Sequence, residues 1–259
     1  MRSRATALAP PLVVTVVLAL VAGCGGSRSG EADSSASDSQ SAGSSAPDSG
    51  SPSPTPASPS QSASATPTEP KPTTLRGRLL GAAELPTFNP ETQWRQAGTT
   101  DTEPRATFGT CQRFNITSIG AERVAIRRYL PTGDDMSNLA SRAGELVAQF
   151  PDELTARRAF AVLKAWRARC ADRLTRFRSS RVGAPQSVRV DGGTATWYLL
   201  TYGPLPRDPD ARFLDAQGAV QVGSRIAMVS MLTVGQDYNY EPGHEPMVGA
   251  LQRAARRLS

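Results

Sequence analysis

Histidine occurs once in this chain, as His244, and cysteine three times, as Cys24, Cys111 and Cys170. A metal centre built on imidazoles and thiolates therefore lacks its usual ligands. A catalytic thiol would have to find its base in His244, which no spacing brings near. Lysine is almost missing: of the 29 basic residues only Lys71 and Lys164 are lysines. The surplus of Arg, Ala, Gly and Pro matches a GC-rich genome, so part of the basic charge is coding bias. There is no phosphate-cradling glycine loop, no nucleophile with a base beside it, no distinctive carboxylate pair and no internal repeat. These absences argue against an enzyme and call for no cofactor and no metal.

What is present begins at the N-terminus. Arg2 and Arg4 precede an apolar stretch from Leu8 to Ala22, interrupted only by Pro10, Pro11 and Thr15. It is too short to favour a spanning helix and has the form of a secretory signal over residues 1–23. Val21-Ala22-Gly23-Cys24 resembles the lipobox of bacterial lipoproteins, whose cysteine is diacylated and becomes the new N-terminus. The resemblance implies lipidation at Cys24 and a protein held at the extracytoplasmic face of the cell membrane. An ordinary signal peptide with an incidental Cys24 is the alternative. Acyl chains contribute about 0.8 kcal/mol per buried methylene, so several on one residue hold a domain on a bilayer without a transmembrane helix.

From Gly25 to about Thr74 the chain is built mainly of Ser, Ala, Pro, Thr, Gly and acidic residues, with no aromatic side chain and no aliphatic one larger than Ala. It cannot bury enough apolar surface to offset its ordering entropy. Residues 24–74 are thus expected to be a lipidated cysteine and a disordered tether, locally extended by runs such as Ser51-Pro52-Ser53-Pro54. The tether carries Arg28 against Glu31, Asp33, Asp38, Asp48 and Glu69, whereas the whole chain is +6. Removing that tether and the two signal arginines leaves +8 on residues 71–259. Export argues against nucleic acid as the partner of this basic domain and favours an anionic lipid or wall polymer.

Residues 75–259 regain Leu, Val, Ile, Phe and Trp and suffice for one domain. With Cys24 taken by lipid, an oxidising exterior makes a Cys111–Cys170 disulfide the default. A helix is expected from Pro151 to Leu174, where Ala156, Ala159, Phe160, Leu163, Trp166, Cys170 and Leu174 fall on one stripe. The bridge would tie that helix to the segment before the first strand. The opposite face carries Arg157, Arg158, Lys164, Arg169 and Arg173, with Arg176, Arg178 and Arg181 beyond it, the densest basic run in the chain. Such a run is ordinarily a solvated face, and a surface for anionic polymer is the functional alternative. Strands are expected over 122–130, 144–150, 186–190, 194–202, 219–222 and 225–234, with hairpin chemistry at Asp191-Gly192-Gly193 and Gly223-Ser224. A second helix is expected from Pro246 to the C-terminus and a short one near Leu79 to Leu85. The pattern predicts an α+β domain, an antiparallel sheet with its helices packed on one face.

Several landmarks occur in order: Leu79-Leu80-Gly81-Ala82-Ala83-Glu84-Leu85-Pro86, Cys111, Glu145-Leu146-Val147-Ala148-Gln149-Phe150-Pro151, Ala159-Phe160 and Trp166-Arg167-Ala168-Arg169-Cys170. With these residues the domain resembles the PknH-like extracellular sensor domain, a module of certain mycobacterial serine/threonine kinases and of actinobacterial lipoproteins. The resemblance spans about residues 78–258. It implies an α+β fold with a cleft for an extracellular ligand. Kinase-linked members are expected to have two disulfides, and this domain can form one, so no binding residue is carried over.

One loop gathers polar groups: Asp237-Tyr238-Asn239-Tyr240-Glu241-Pro242-Gly243-His244-Glu245. Tyr238, Tyr240, Glu241 and His244 are the candidate binding residues from sequence. The competing account is a polar loop leading into the last helix. Trp197, Tyr198 and Tyr202 could present an aromatic surface, although Trp197 on an alternating strand suits the core. The expected function is a sensor or ligand-binding module on a lipid anchor. The alternative is a structural or interaction partner of another envelope protein.

Overall fold

In the computed structural model, residues 73–132, 141–175, 179–205 and 208–259 are described, all within the unit Ala65–Ser259. The expected signal segment, Cys24 and nearly all of the tether lie outside the described residues, as do Arg176 and Arg178.

Eight strands make one antiparallel sheet among the described residues. They are β1 (Gln93–Thr100), β2 (Arg123–Thr132), β3 (Arg142–Gln149), β4 (Ser179–Val182), β5 (Gln186–Val188), β6 (Gly193–Gly203), β7 (Arg212–Val222) and β8 (Arg225–Gly235). Their order is β1-β2-β3-β8-β7-β6-β4, with β5 pairing the same strand as β4. The turn between β7 and β8 has a positive φ of 53° at Gly223 and at no non-glycine residue, the pattern of a type II′ hairpin. In the turn from β5 to β6 the positive φ, 66°, is at Gly192, the second residue of the Asp191-Gly192 turn.

Two helices cover this sheet, α1 (Glu153–Ala168) and α2 (Pro246–Leu258). They lie on opposite faces, which corrects the expectation that the helices share one. On one face Val147, Ala216, Val220, Ala227 and Met231 pack against Met247, Leu251, Ala254 and Leu258 of α2. On the other, Leu146, Ala148, Ala219, Ile226 and Met228 pack against Ala156, Ala159 and Phe160 of α1. The alternation along each strand assigns these residues to the two sides. A sheet covered on both faces also explains why β3 and β8 are apolar in runs, as in Leu146-Val147-Ala148 and Ile226-Ala227-Met228-Val229, rather than in strict alternation.

Helix α1 starts where Asp152 caps it, the carboxylate accepting from the Thr155 amide at 2.6 Å. It ends earlier than expected: Cys170–Arg173 forms a separate 3-10 turn. The short helix expected near residue 79 is a pair of 3-10 turns, Arg76–Arg78 and Ala82–Glu84. Between them Leu79 and Leu80 cap the α2 face. The Leu80 amide donates to Glu145 Oε2 at 2.6 Å, and the Tyr129 hydroxyl and Arg127 Nη1 both donate to the Leu80 carbonyl at 2.7 Å. Cys111 and Cys170 form the expected disulfide, with Cα atoms 5.0 Å apart. Because β1 precedes Cys111, the bridge joins the loop between β1 and β2 to the end of α1. No helix among the described residues is long and apolar enough to cross a membrane.

Candidate functional site

The disulfide draws the 107–114 segment alongside the C-terminal half of α1, and a cavity of about 250 Å³ lies between them and the sheet. Phe160, Leu163 and Trp166 form the helical wall, Phe108, Gly109 and Gln112 the loop wall, and Pro185 the lip. The sheet contributes Thr196 and Tyr198 from β6, Gln217 and Ala219 from β7, and Met228 and Ser230 from β8. Small side chains account for the space. Ala156 and Ala159 let the start of α1 sit close to the strands, and under its second half the small side chains of Thr196, Ala219 and Ser230 leave the floor low beside Tyr198, Gln217 and Met228. The roof residues therefore leave a gap that well-packed interiors normally close.

A polar chain runs beneath the floor. The Tyr198 hydroxyl donates to Gln217 Oε1 at 3.1 Å, and Gln217 Nε2 donates to Asp215 Oδ2 at 3.0 Å. Asp215 also accepts from Thr110 Oγ1 at 2.7 Å and from Ser230 Oγ at 3.4 Å. Burial pushes the Asp215 carboxyl up to about 6, and the bonds from Thr110, Gln217 and Ser230, with the Arg142 charge, hold it from going further. Burial raises the Tyr198 hydroxyl as well, and the nearby Asp215 charge adds to it. Gln112 completes the wall, accepting from the Gly109 amide at 3.2 Å and donating to the Phe114 carbonyl at 2.8 Å.

Two cations border the cavity. Lys164 is exposed, with Nζ 5.7 Å from the centre of the Phe160 ring. The Arg167 guanidinium lies 5.8 Å from the centre of the Tyr198 ring and donates through Nη2 to the Gly183 carbonyl. Its Nε is buried and has no acceptor. A buried donor without a partner costs about 1–3 kcal/mol. Neither cation has a carboxylate within ion-pair distance among the described residues.

The loop singled out from sequence lies on the other side of the sheet. Tyr238 packs on the α2-side core, 6.1 Å from the Trp197 ring and 4.8 Å from the Tyr240 ring between centres. The Tyr240 hydroxyl donates to the Phe88 carbonyl at 2.6 Å, and burial raises both phenols. Glu241 and His244 are exposed and 3.6 Å apart. None of these four residues lines the cavity under α1. No group of three or more metal-ligating side chains occurs among the described residues. Trp197 is in the core, at 2 % exposure. Arg157, Arg158, Lys164, Arg169 and Arg173 are all exposed, and Arg157 pairs with Glu153 at 3.2 Å. Sequence reasoning passed over Arg167, Gln112, Asp215 and Gln217. Arg167 had a signal, since Phe160, Lys164 and Arg167 fall at helical spacing on one face. The three others did not, because their roles arise from contacts distant in sequence.

No protein-family model matches the chain, and no curated protein does. Among solved structures it is similar to the extracellular domain of PknH from Mycobacterium tuberculosis, at 13% identity over 68% of this chain and 92% of that one, with a TM-score of 0.37.

Proposed function

We propose that this protein is a lipoprotein anchored through Cys24 on the extracytoplasmic face, and that its folded domain is a sensor or binding module for a small ligand seated under α1. The carrying observation is the cavity itself, apolar on its walls and bordered by two cations without carboxylate partners. Binding sites of this kind combine apolar surface with a few placed polar groups. Binding is preferred to catalysis because Asp215, the acid beneath the floor, already accepts from three side chains. It does not line the cavity, so it is not placed to take or give the proton of a substrate held there. A protein-docking role is the second reading. It would favour an extensive apolar patch, whereas only Phe114, Leu130 and Leu154 are large apolar side chains exposed among the described residues.

The anchor rests on the lipobox-like residues, and fatty-acid labelling tests it. Wild type is expected to take label and stay with the membrane, and Cys24→Ala to do neither. A labelled Cys24→Ala protein would sink the assignment. The binding reading is tested by filling the cavity. A compound seated there must raise the melting midpoint, and Thr196→Trp, which places a large side chain on the floor, must abolish that rise.

A further inference from the structure

The cavity's size and its two cations specify the ligand more narrowly, given that the cavity is a binding site. A dry cavity of about 150 Å³ holds one benzene ring. By that scale 250 Å³ suits an apolar body of about ten carbons. Both chains of a diacyl lipid, or a length of wall polymer, do not fit inside it.

The charge of the ligand follows from Arg167. Its side chain is fixed at one end by the Gly183 carbonyl and flanked by the Tyr198 ring. Its Nε is buried without an acceptor, and Arg167 lines the cavity. A guanidinium edge matches the two oxygens of a carboxylate, and charge-assisted bonds of this type are about twice as strong as neutral ones. Lys164, three residues earlier on the same helical face, adds a second positive charge at the mouth. The remaining polar groups do not favour a larger anion. The Tyr198 hydroxyl donates to Gln217, Gln217 to Asp215, and Gln112 to Phe114. A doubly charged phosphate would leave oxygens facing Phe160, Leu163 and Met228 without donors.

We propose that the cavity binds a compact amphipathic monocarboxylate, with its carboxylate on Arg167 and Lys164 and its apolar body between Phe160, Leu163, Trp166 and Met228. Phe108 and Ala219 close the sides of that apolar seat.

Calorimetric titration of the purified, disulfide-bonded protein with decanoate, decanol and decyl phosphate tests this. Decanoate is expected to bind about tenfold more tightly than decanol, the worth of one charge-assisted bond. Arg167→Met is expected to lose that preference and keep its affinity for decanol. Lys164→Met changes an exposed residue and so leaves the fold intact; it is expected to reduce the preference about threefold, as a partly screened charge should. In wild type the preference is expected to shrink as salt rises to about 0.5 M, with decanol unaffected. Equal or tighter binding of decanol, or a preference that survives in both variants, overturns the carboxylate assignment and leaves the binding reading standing. A tenfold preference for decyl phosphate over decanoate overturns it in favour of a phosphate head. Binding of none of the three overturns both.

Discussion

Replacing Cys170 with serine is expected to lower the unfolding free energy by up to about 4 kcal/mol and the melting midpoint by about 10 °C. The bridge closes a loop of 59 residues, and in the chain-entropy account that closure restricts the unfolded ensemble. The native side contributes too. Cys111 and Cys170 are buried with Leu174, Leu200, Tyr202 and Leu232, so one serine hydroxyl beside the freed Cys111 thiol, or two free thiols after reduction, would sit in an apolar cluster. The loss extends to the cavity, because the 107–114 wall is held to α1 by this bond. Melting curves with and without a reductant make the check. Wild type should lose the full amount on reduction, and Cys170→Ser should be insensitive to it. If reduction leaves the midpoint of wild type unchanged, the disulfide has no such role.

The second large effect is a loss of stability as pH rises, which reverses the usual behaviour of buried carboxyl groups held by cations. Glu145 is fully buried on the α2 side of β3, and burial pushes its carboxyl up to about 8. The Leu80 amide, the Arg127 charge and the Tyr129 hydroxyl pull it back only in part. Oε1 has no partner at all. In the unfolded chain a glutamate titrates near about 4.3. Between those values the folded protein holds a proton that the unfolded one has released. Stability is therefore greatest at the acidic end of the window and falls as pH rises, by up to about 1.4 kcal/mol per pH unit for the one proton. Asp215, raised to about 6, adds a slope of the same sign below that value. Glu84 works in the other direction. Burial raises it, but the Arg257 guanidinium at 2.7 Å and the Gly81 amide outweigh burial and leave it below its ordinary value. That contribution is lost only as pH falls through the carboxylate range. A stability maximum near pH 5 follows, with a lower midpoint at pH 8. Glu145→Gln cannot ionise and should remove most of the fall above pH 6. A wild-type midpoint that is flat or rising from pH 5.5 to 8 contradicts this account of Glu145.

The elements legible in the sequence were those with strong apolar periodicity or turn chemistry. Helix α1, helix α2, the β7–β8 hairpin and the interior strands β2, β3, β6 and β8 were all anticipated. Strand β1 was not, because only Trp94 of its eight residues is buried, and an exposed edge strand carries no alternation to read. Strand β4, Ser179–Val182, escaped for the same reason. The first half of β7 was hidden by Asp215 and Gln217, buried polar residues that look like loop residues until their partners Thr110, Tyr198 and Ser230 are brought alongside. The placement of the helices on two faces had a trace in the continuous apolar runs of β3 and β8.

The candidate site was less legible than the fold. The 237–245 loop drew attention because tyrosines, acids and the single histidine are adjacent there in sequence. The cavity instead combines residues from 108 to 230, brought together by one disulfide and three strands. Of its polar members the sequence marks Lys164 only as part of a solvated face, Tyr198 only as one of a group of aromatics, and Arg167 only within the 166–170 landmark. Arg167 was hidden by lying on the shoulder of the α1 stripe, between Trp166 and the basic face.

The claim that the space under α1 is a ligand seat is tested most directly by comparing wild type with Thr196→Trp in the presence of decanoate at about a hundred times its dissociation constant. Such an excess adds about 2.7 kcal/mol to the stability of a protein that binds. For a domain of this size that is a midpoint rise of about 5–10 °C. The rise is predicted for wild type and its absence for Thr196→Trp. The same rise in both proteins would place the ligand elsewhere, with the Tyr238–His244 loop the first alternative, and would contradict the assignment.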